Sequence, residues 1–455
     1  MSMMINNNPI RKIQITNFGA LGRIDLVLNR SLQVIIGPQA SGKSTLAKVI
    51  YFCRRIRDYL ADFALEIWDG HIKETPLANF DKYLKNPFIG CFGTTRHMDS
   101  FEIIYTYDAE NNKTVTITLD EEHFVRFWFS ESIKNGLMVL LRDAMRVSKE
   151  NSDSFSAEFS AQRSFIGLFR QRAAELFEDD ETLLYIPAGR NMLATIPDMI
   201  IPESSSTGTL MQNVDISQID LITQSFIRHI QQMRNRFGSR LEEIKQNYQK
   251  TTPGKIKTKE VDQACGLIHE ILKADYVYDK DGEKLYYAEG KWTKLMFGSS
   301  GQQEVLWALN CIFLAILQNE KSFLVFEEPE SHVFPDSQEK IAQLVALLIN
   351  STGSEVFITT HSPYMLTSIN LLLYSGIVEE KRQKGSVVDY HYRLVPAEIG
   401  AYMIPGNRLD MIPLIQGEEP LIDAVQIDHV SDLINQKMDQ LVYEEVRQES
   451  EGKAE

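Results

Sequence analysis

The sequence predicts an α/β protein with a mixed central sheet, an antiparallel β-lobe beside it and a helical insertion. Three observations predict this. Val34-Ile35-Ile36, Phe323-Leu324-Val325-Phe326 and Val356-Phe357-Ile358 are short apolar runs of the kind that make buried strands. Alternating segments on either side of polar turns read as hairpins, and longer stretches carry apolar residues three or four apart, as amphipathic helices do. With 455 residues, 44% of them hydrophobic, the chain is long enough for two or three domains and can bury a sizeable core.

A net charge of −15 argues for a soluble chain without a general nucleic-acid-binding surface, although a local basic patch fits within that total. The four cysteines, Cys53, Cys91, Cys265 and Cys311, have no C-x-x-C spacing and lie in apolar surroundings, which suits reduced, buried thiols. Residues 1–9 lack an apolar signal region and no run of 18 apolar residues occurs, so a cytoplasmic protein without a membrane span is expected.

In chain order, Ile10 to Thr16 and Asp25 to Leu28 are strands flanking a Gly19/Gly22 turn. The strand at 34–36 runs into Gly37-Pro38-Gln39-Ala40-Ser41-Gly42-Lys43-Ser44-Thr45, which matches G-x-x-x-x-G-K-[ST], and a helix carrying Leu46, Val49, Ile50 and Cys53 follows to about Ala64. Gly37 and Gly42 let successive N–H groups curl round an anion, and the helix N-terminus adds about half a positive charge there. In such a P-loop Lys43 reaches the β- and γ-phosphates and Ser44 offers its hydroxyl to Mg²⁺.

Residues 66–98 form a connection interrupted by glycine and proline, and 101–107 with 114–119 make a hairpin. Residues 121–180 read as helices broken by a mobile serine-rich loop from Ser148 to Ser160. Leu183 to Ile186 is a short strand ending at Pro187, and 202–208 has linker composition. From Ile216 to Gln249 the spacing of Ile219, Ile222, Phe226, Ile230, Met233, Phe237, Leu241 and Ile244 predicts one long helix. Val261 to Leu272 returns as a second, shorter helix to complete an antiparallel arm, which reads equally as an ordinary helical subdomain or as a partner-binding arm. Asp279-Lys280-Asp281-Gly282 is the turn of another hairpin, its D-x-D a solvated turn rather than a metal site. Ser299-Ser300-Gly301-Gln302 starts an apolar helix, and the strands at 323–326 and 355–360 end in Glu327-Glu328-Pro329-Glu330 and His361-Ser362-Pro363. The tail predicts a strand at 388–394 and a packing or dimerisation helix at 422–445.

The order of P-loop, serine-glycine helix start, strand ending in two glutamates and strand ending in histidine resembles the ATP-binding-cassette (ABC) ATPases. Within them it is most similar to the standalone heads of the SMC, RecF and OLD group. The resemblance covers 10–60 and about 275–370, and implies an ABC-type P-loop fold that hydrolyses ATP with Mg²⁺ in a head-to-head dimer or higher oligomer. By it, Glu328 is the general base, His361 the γ-phosphate contact, and Ser299, Ser300, Gly301 and Gln302 the signature that closes on the other subunit's nucleotide. Glu327 takes the place of a Walker B residue that is more often aspartate, reaching the Mg²⁺ shell through water. Only the serine, the second glycine and the glutamine of the usual Leu-Ser-Gly-Gly-Gln are present, and the same segment is also a plain helix N-cap. A Q-loop glutamine is expected near 101–119, yet none lies between Gln39 and Gln162.

The domains expected are an N-terminal ATPase lobe at 1–120, a mainly helical insertion at 121–275, a C-terminal ATPase lobe at 276–370 and a packing or oligomerisation segment at 371–455. Length, the Ile15-Thr16-Asn17-Phe18-Gly19 start and the E-E-P-E strand end resemble the ATPase components of the anti-phage systems PARIS and Septu. That resemblance implies a partner nuclease or toxin effector and a phage-derived trigger. OLD and Gabija proteins fuse such a head to a Toprim nuclease, whose glutamate plus D-x-D set is not evident after His361. The alternative is a repair or chromosome-maintenance head of the RecF or SMC kind that binds DNA directly.

Overall fold

The structure, a computed structural model, describes residues 9–440 apart from 73, 151–154, 191–218, 255, 381–386, 416–419 and 424–435. The chain opens with β1 (Lys12–Phe18) and β2 (Leu21–Val27), then enters the core through β3 (Leu32–Ile36), whose five residues are all buried. α1 (Lys43–Trp68) follows, and α2 (Pro76–Phe92) occupies much of the connection at 66–98. Its buried Phe80, Leu84 and Phe88 recur every fourth residue, a helical signal obscured in the sequence by Pro87 inside the helix.

β4 (Glu102–Asp108) and β5 (Lys113–Leu119) form the expected hairpin, but β6 (Val125–Phe129) adds a third strand where only helix was expected. Val125 and Phe127 alternate inward there, too short a run to outweigh the helical stretch behind it. α3 (Glu131–Glu150) and α4 (Phe155–Phe177) come next, so helix extends into both ends of the serine-rich segment expected to be a loop. After β7 (Thr182–Ile186), the expected linker at 202–208 lies outside the described residues.

The single helix expected from 216 to 249 is instead α5 (Leu221–Met233), a 3-10 turn at Arg234–Phe237 and α6 (Leu241–Thr251). Phe237 turns inward against Tyr276 and Trp307, and Arg240 is extended at the start of α6. Periodicity continues across the break because both helices bury the same side of the chain. α7 (Thr258–Leu272) is not half of a free arm: Val261, Ala264, Ile268 and Leu272 join the core shared by the later helices.

β8 (Asp275–Asp279), β9 (Gly282–Ala288) and β10 (Lys291–Lys294) make a small antiparallel sheet, with Lys284 paired to Asp279 and Asp281 across the turn. α8 (Ser300–Gln318), β11 (Ser322–Glu327), α9 (Pro335–Thr352), β12 (Glu355–Thr360) and α10 (Pro363–Glu380) complete the expected alternation. The strand expected at 388–394 is a 3-10 turn at Tyr390–Tyr392, because Asn350 draws the carbonyls of His391 and Arg393 to itself. The strand in this region lies further on, β13 (Ile399–Met403), followed by β14 (Ile412–Pro413). Most of the helix expected at 422–445 lies outside the described residues; Ile422 is fastened to Asn370, and 436–440 is helical and exposed.

The antiparallel lobe has the order β2-β1-β4-β5-β6, and the central sheet β14-β13-β3-β12-β11-β7, parallel throughout except for β14. Side chains alternate between its faces. Ile35, Phe323, Val325 and Phe357 pack in one core with α1 and the antiparallel lobe. Val34, Leu324, Phe326, Val356 and Ile358 pack in the other with α7, α8, α9 and α10. Burial on both faces is what makes these strands read as unbroken apolar runs. All four cysteines are buried and free, as expected. Among the described residues no helix is long and apolar enough to cross a membrane.

Candidate functional site

Strand register assembles the site. β12 lies between β3 and β11, with Thr360 opposite Ile36 and Thr359 opposite Glu327, while Phe326 of β11 faces Ile186 of β7. The chain therefore leaves all four strands at one edge, bringing Gly37, His361, Glu328 and Pro187 together. The carboxyl edge of a parallel sheet is where open α/β folds bind ligands.

Gly42 caps α1 with φ of 102°, a left-handed angle, and a side chain there would strike Leu21 at 2.5 Å. The loop it closes leaves Pro38, Gln39, Ala40 and Ser44 exposed and buries Ser41. Lys43 is buried, and its Nζ donates to the carbonyls of Gly37 and Pro38, each at 2.9 Å. Burial pushes the Lys43 ammonium below its ordinary pKa, opposed by the nearby carboxylates of Glu328, Glu330 and Glu327. The lysine thus faces the three glutamates of the β11 end.

Those glutamates differ in surroundings. Glu327 is buried, with one oxygen accepting from the Ala188 N–H at 3.2 Å and the Tyr185 hydroxyl beside its carboxylate. Glu328 has φ of 42°, unusual for a residue with a side chain, and its N–H is held by the Thr359 carbonyl at 2.9 Å. Its carboxylate meets His361 Nε2 at 3.2 Å and Ser331 Oγ at 3.2 Å. The His361 hydrogen bond, helped by Ser331 and Lys43, holds the Glu328 carboxyl below its usual range. Glu330 accepts from Thr360 Oγ1 at 2.8 Å and from the His361 N–H at 2.7 Å, while burial pushes its carboxyl up.

Two overlapping stretches, residues 9–185 and 158–366, match the AAA ATPase domain family. The chain belongs to that family. No curated protein matches it. Among solved structures it is similar to the SMC head domain from Thermotoga maritima, with 9% identity, a TM-score of 0.36 and coverage of 89% of this chain and 98% of that one. The Smc head domain bound to the C-terminal domain of ScpA, derived from Pyrococcus furiosus, gives 10%, 0.36, 89% and 96%. The SmcHead bound to the C-winged helix domain of ScpA gives 11%, 0.36, 79% and 91%. These scores are too low to bear weight; the ABC-type P-loop ATPase fold rests on strand order, loop positions and the family match.

Mg²⁺ and ATP fit the residues of this ATPase. A buried carboxylate such as Glu327 is costly unless a cation offsets its charge, and Ser44 lies in the first turn of α1 with its side chain exposed. The first N–H groups of α1 have no partners within the helix and point to the loop that phosphates would fill.

The serine-glycine segment lies apart. Among the described residues no hydrogen bond or ion pair joins Ser299, Ser300, Gly301 or Gln302 to residues 37–45. Ser299 is the N-cap of α8 in a reciprocal capping box with Gln302, and Gln302 also donates to the Leu272 carbonyl at 2.7 Å. The plain N-cap is therefore present in full, while Ser299 and Ser300 remain exposed. Gly301 lets α8 approach the turn after Glu328, since a side chain there would lie 2.7 Å from the His332 carbonyl.

Sequence reasoning missed the loop beside Glu327. It is 187–190, at the end of β7, and not the 101–119 hairpin, whose strands belong to the antiparallel lobe. It carries Arg190 and no glutamine. An arginine shortly after a buried strand is a faint signal, and its partner Glu304 is 114 residues away.

Proposed function

We propose that this ATPase hydrolyses ATP at a site completed by a second copy. The cycle holds and then releases a nuclease or toxin effector in a bacterial anti-phage defence system of the cytoplasm. The observation that carries hydrolysis is the Glu328–His361 pair at 3.2 Å beside buried Lys43. The loop from Gly37 to Thr45 would cradle the phosphates, Lys43 would supply charge, and Ser44 directly and Glu327 through water would hold Mg²⁺. When bound, that ion neutralises charge on the phosphoryl oxygens. Glu328, kept ionised by its partners, orients the attacking water and accepts its proton, and His361 fixes the Glu328 carboxylate.

Exposed apolar side chains support a second copy. Met296 and Phe297 precede Ser299, while Phe334 and Tyr364 follow the Glu328 and His361 turns, and all four are exposed on the single chain. In the pair, Ser299, Ser300, Gly301 and the N-terminus of α8 face the nucleotide of the other copy. Two discrete states, closed on ATP and open after hydrolysis, would bind an effector differently and release it when a phage-derived trigger shifts the balance.

The E-E-P-E strand end and the resemblance to PARIS and Septu components support the defence reading. Co-purification with the product of the neighbouring gene, repeated with Glu328→Gln, tests it. A complex whose retention differs between wild type and Glu328→Gln is expected. ATP-dependent, salt-sensitive DNA binding by the lone protein, with no co-purifying product, would replace the effector with DNA as ligand.

A further inference from the structure

Arg190 is 1% exposed, and its guanidinium makes four hydrogen bonds and an ion pair. Nη1 donates to the carbonyls of Pro187 at 2.7 Å and Glu327 at 2.6 Å. Nη2 reaches the Glu328 carbonyl at 3.1 Å and Glu304 Oε1 at 3.2 Å, and Nε donates to the Glu304 carbonyl at 2.9 Å. The Arg190 backbone N–H also donates to Glu304 Oε1, at 3.0 Å, and the Phe326 ring lies under the guanidinium, 5.1 Å from its centre. Glu304 is fully buried in the second turn of α8, the helix capped by Ser299.

This one side chain therefore grips two things at once. One is the peptide that follows Glu328, whose left-handed φ of 42° aims the carboxylate at His361. Such a backbone persists only where its surroundings over-determine it, and here Thr359 holds the N–H and Arg190 the carbonyl. The other is α8, whose exposed N-terminus belongs to the face proposed to meet a second copy. A planar fork held by four hydrogen bonds and an ion pair transmits a shift of α8 to the Glu328 peptide with little slack.

We propose that Arg190 is a positioning residue that holds Glu328 in its working conformation and, through Glu304, makes that conformation depend on the seating of α8. The proposal rests on the reading of Glu328 as the base. It predicts a split between binding and turnover, because Arg190 touches neither the P-loop nor the proposed nucleotide position.

The test uses Arg190→Lys, Glu304→Gln and the double variant in the full chain, with kcat, KM, ATP affinity and thermal melting measured for each. Lysine has three donors at one point and cannot span both carbonyls and Glu304. Arg190→Lys is expected to lower kcat by about 10–100-fold while ATP affinity stays within about 3-fold of wild type. Glu304→Gln is expected to lower kcat by about 3–10-fold, and the double variant to be no slower than Arg190→Lys, since the two act through one contact. A kcat within about 2-fold of wild type in Glu304→Gln or Arg190→Lys, or losses that multiply in the double variant, would overturn the proposal. If Arg190→Lys does not fold, Glu304→Gln decides alone by its kcat against its ATP affinity. Wild-type protein no faster than Glu328→Gln would instead mean that the reading of Glu328 as the base is wrong, whatever Arg190 does.

Discussion

Glu330 gives a test of how the histidine is positioned, because one of its oxygens holds both Thr360 and His361. Glu330→Ala removes the acceptor for Thr360 Oγ1, 2.8 Å away, and for the His361 N–H, 2.7 Å away. Thr360 is fully buried, so its hydroxyl loses its acceptor with no water to replace it, which costs about 1–3 kcal/mol. The His361 N–H lies at an exposed residue and recovers water at little cost. Relief from burying the Glu330 carboxyl offsets part of this, so a net loss of about 1–2 kcal/mol is expected in urea denaturation. Without the anchor His361 drifts from Glu328, and a misplacement near 1 Å lowers kcat by about 10–100-fold.

Glu330→Gln keeps the accepting oxygen, and its stability and kcat should stay near wild type. The pH dependence separates the two carboxyls. Burial raises the Glu330 pKa above 4.5, so the folded state holds a proton that the unfolded state has lost, and stability falls as pH rises through that window. Glu330→Gln should remove this decline. The Glu328 pKa is lowered, so its contribution is complete above 4.5 and is lost as pH falls through the folded value. Glu330→Ala as active and as stable as wild type would refute the reasoning, as would Glu330→Gln as damaged as Glu330→Ala.

Lys43→Ala should lose ATP binding, while Glu328→Gln should keep it and lower turnover by about 10²–10⁴-fold; wild-type turnover in Glu328→Gln would remove the base assignment. Glu327→Asp should shift the Mg²⁺ concentration needed for half-maximal activity, and an unchanged titration would place Glu327 outside the metal's shell. Mixing Ser299→Arg with Lys43→Ala protein should restore ATPase activity that both parents lack, because the mixed dimer has one intact composite site. Full activity of Ser299→Arg alone would leave only the N-cap role of Ser299.

The sequence by itself determined whatever a short segment completes on its own. The 37–45 loop carries its glycines, lysine and helix start within nine residues, and the Ser299–Gln302 capping box spans four. The strands ending in Glu328 and His361 were legible because burial on both faces makes them uniformly apolar. Tertiary structure decided what depends on partners far along the chain. The turn at Phe237 is drawn inward by Tyr276 and Trp307, contacts that no helical periodicity records. β13 becomes a strand because β3 offers it an edge. Arg54 on α1 is buried against Asp179, Glu181 and Glu355, up to 301 residues away. The same holds at the site: Arg190 joins β7, α8 and the Glu328 peptide only once the sheet has closed. Local chemistry can be read from spacing, but a buried charge can only be interpreted once the fold shows which opposite charge and which carbonyls surround it.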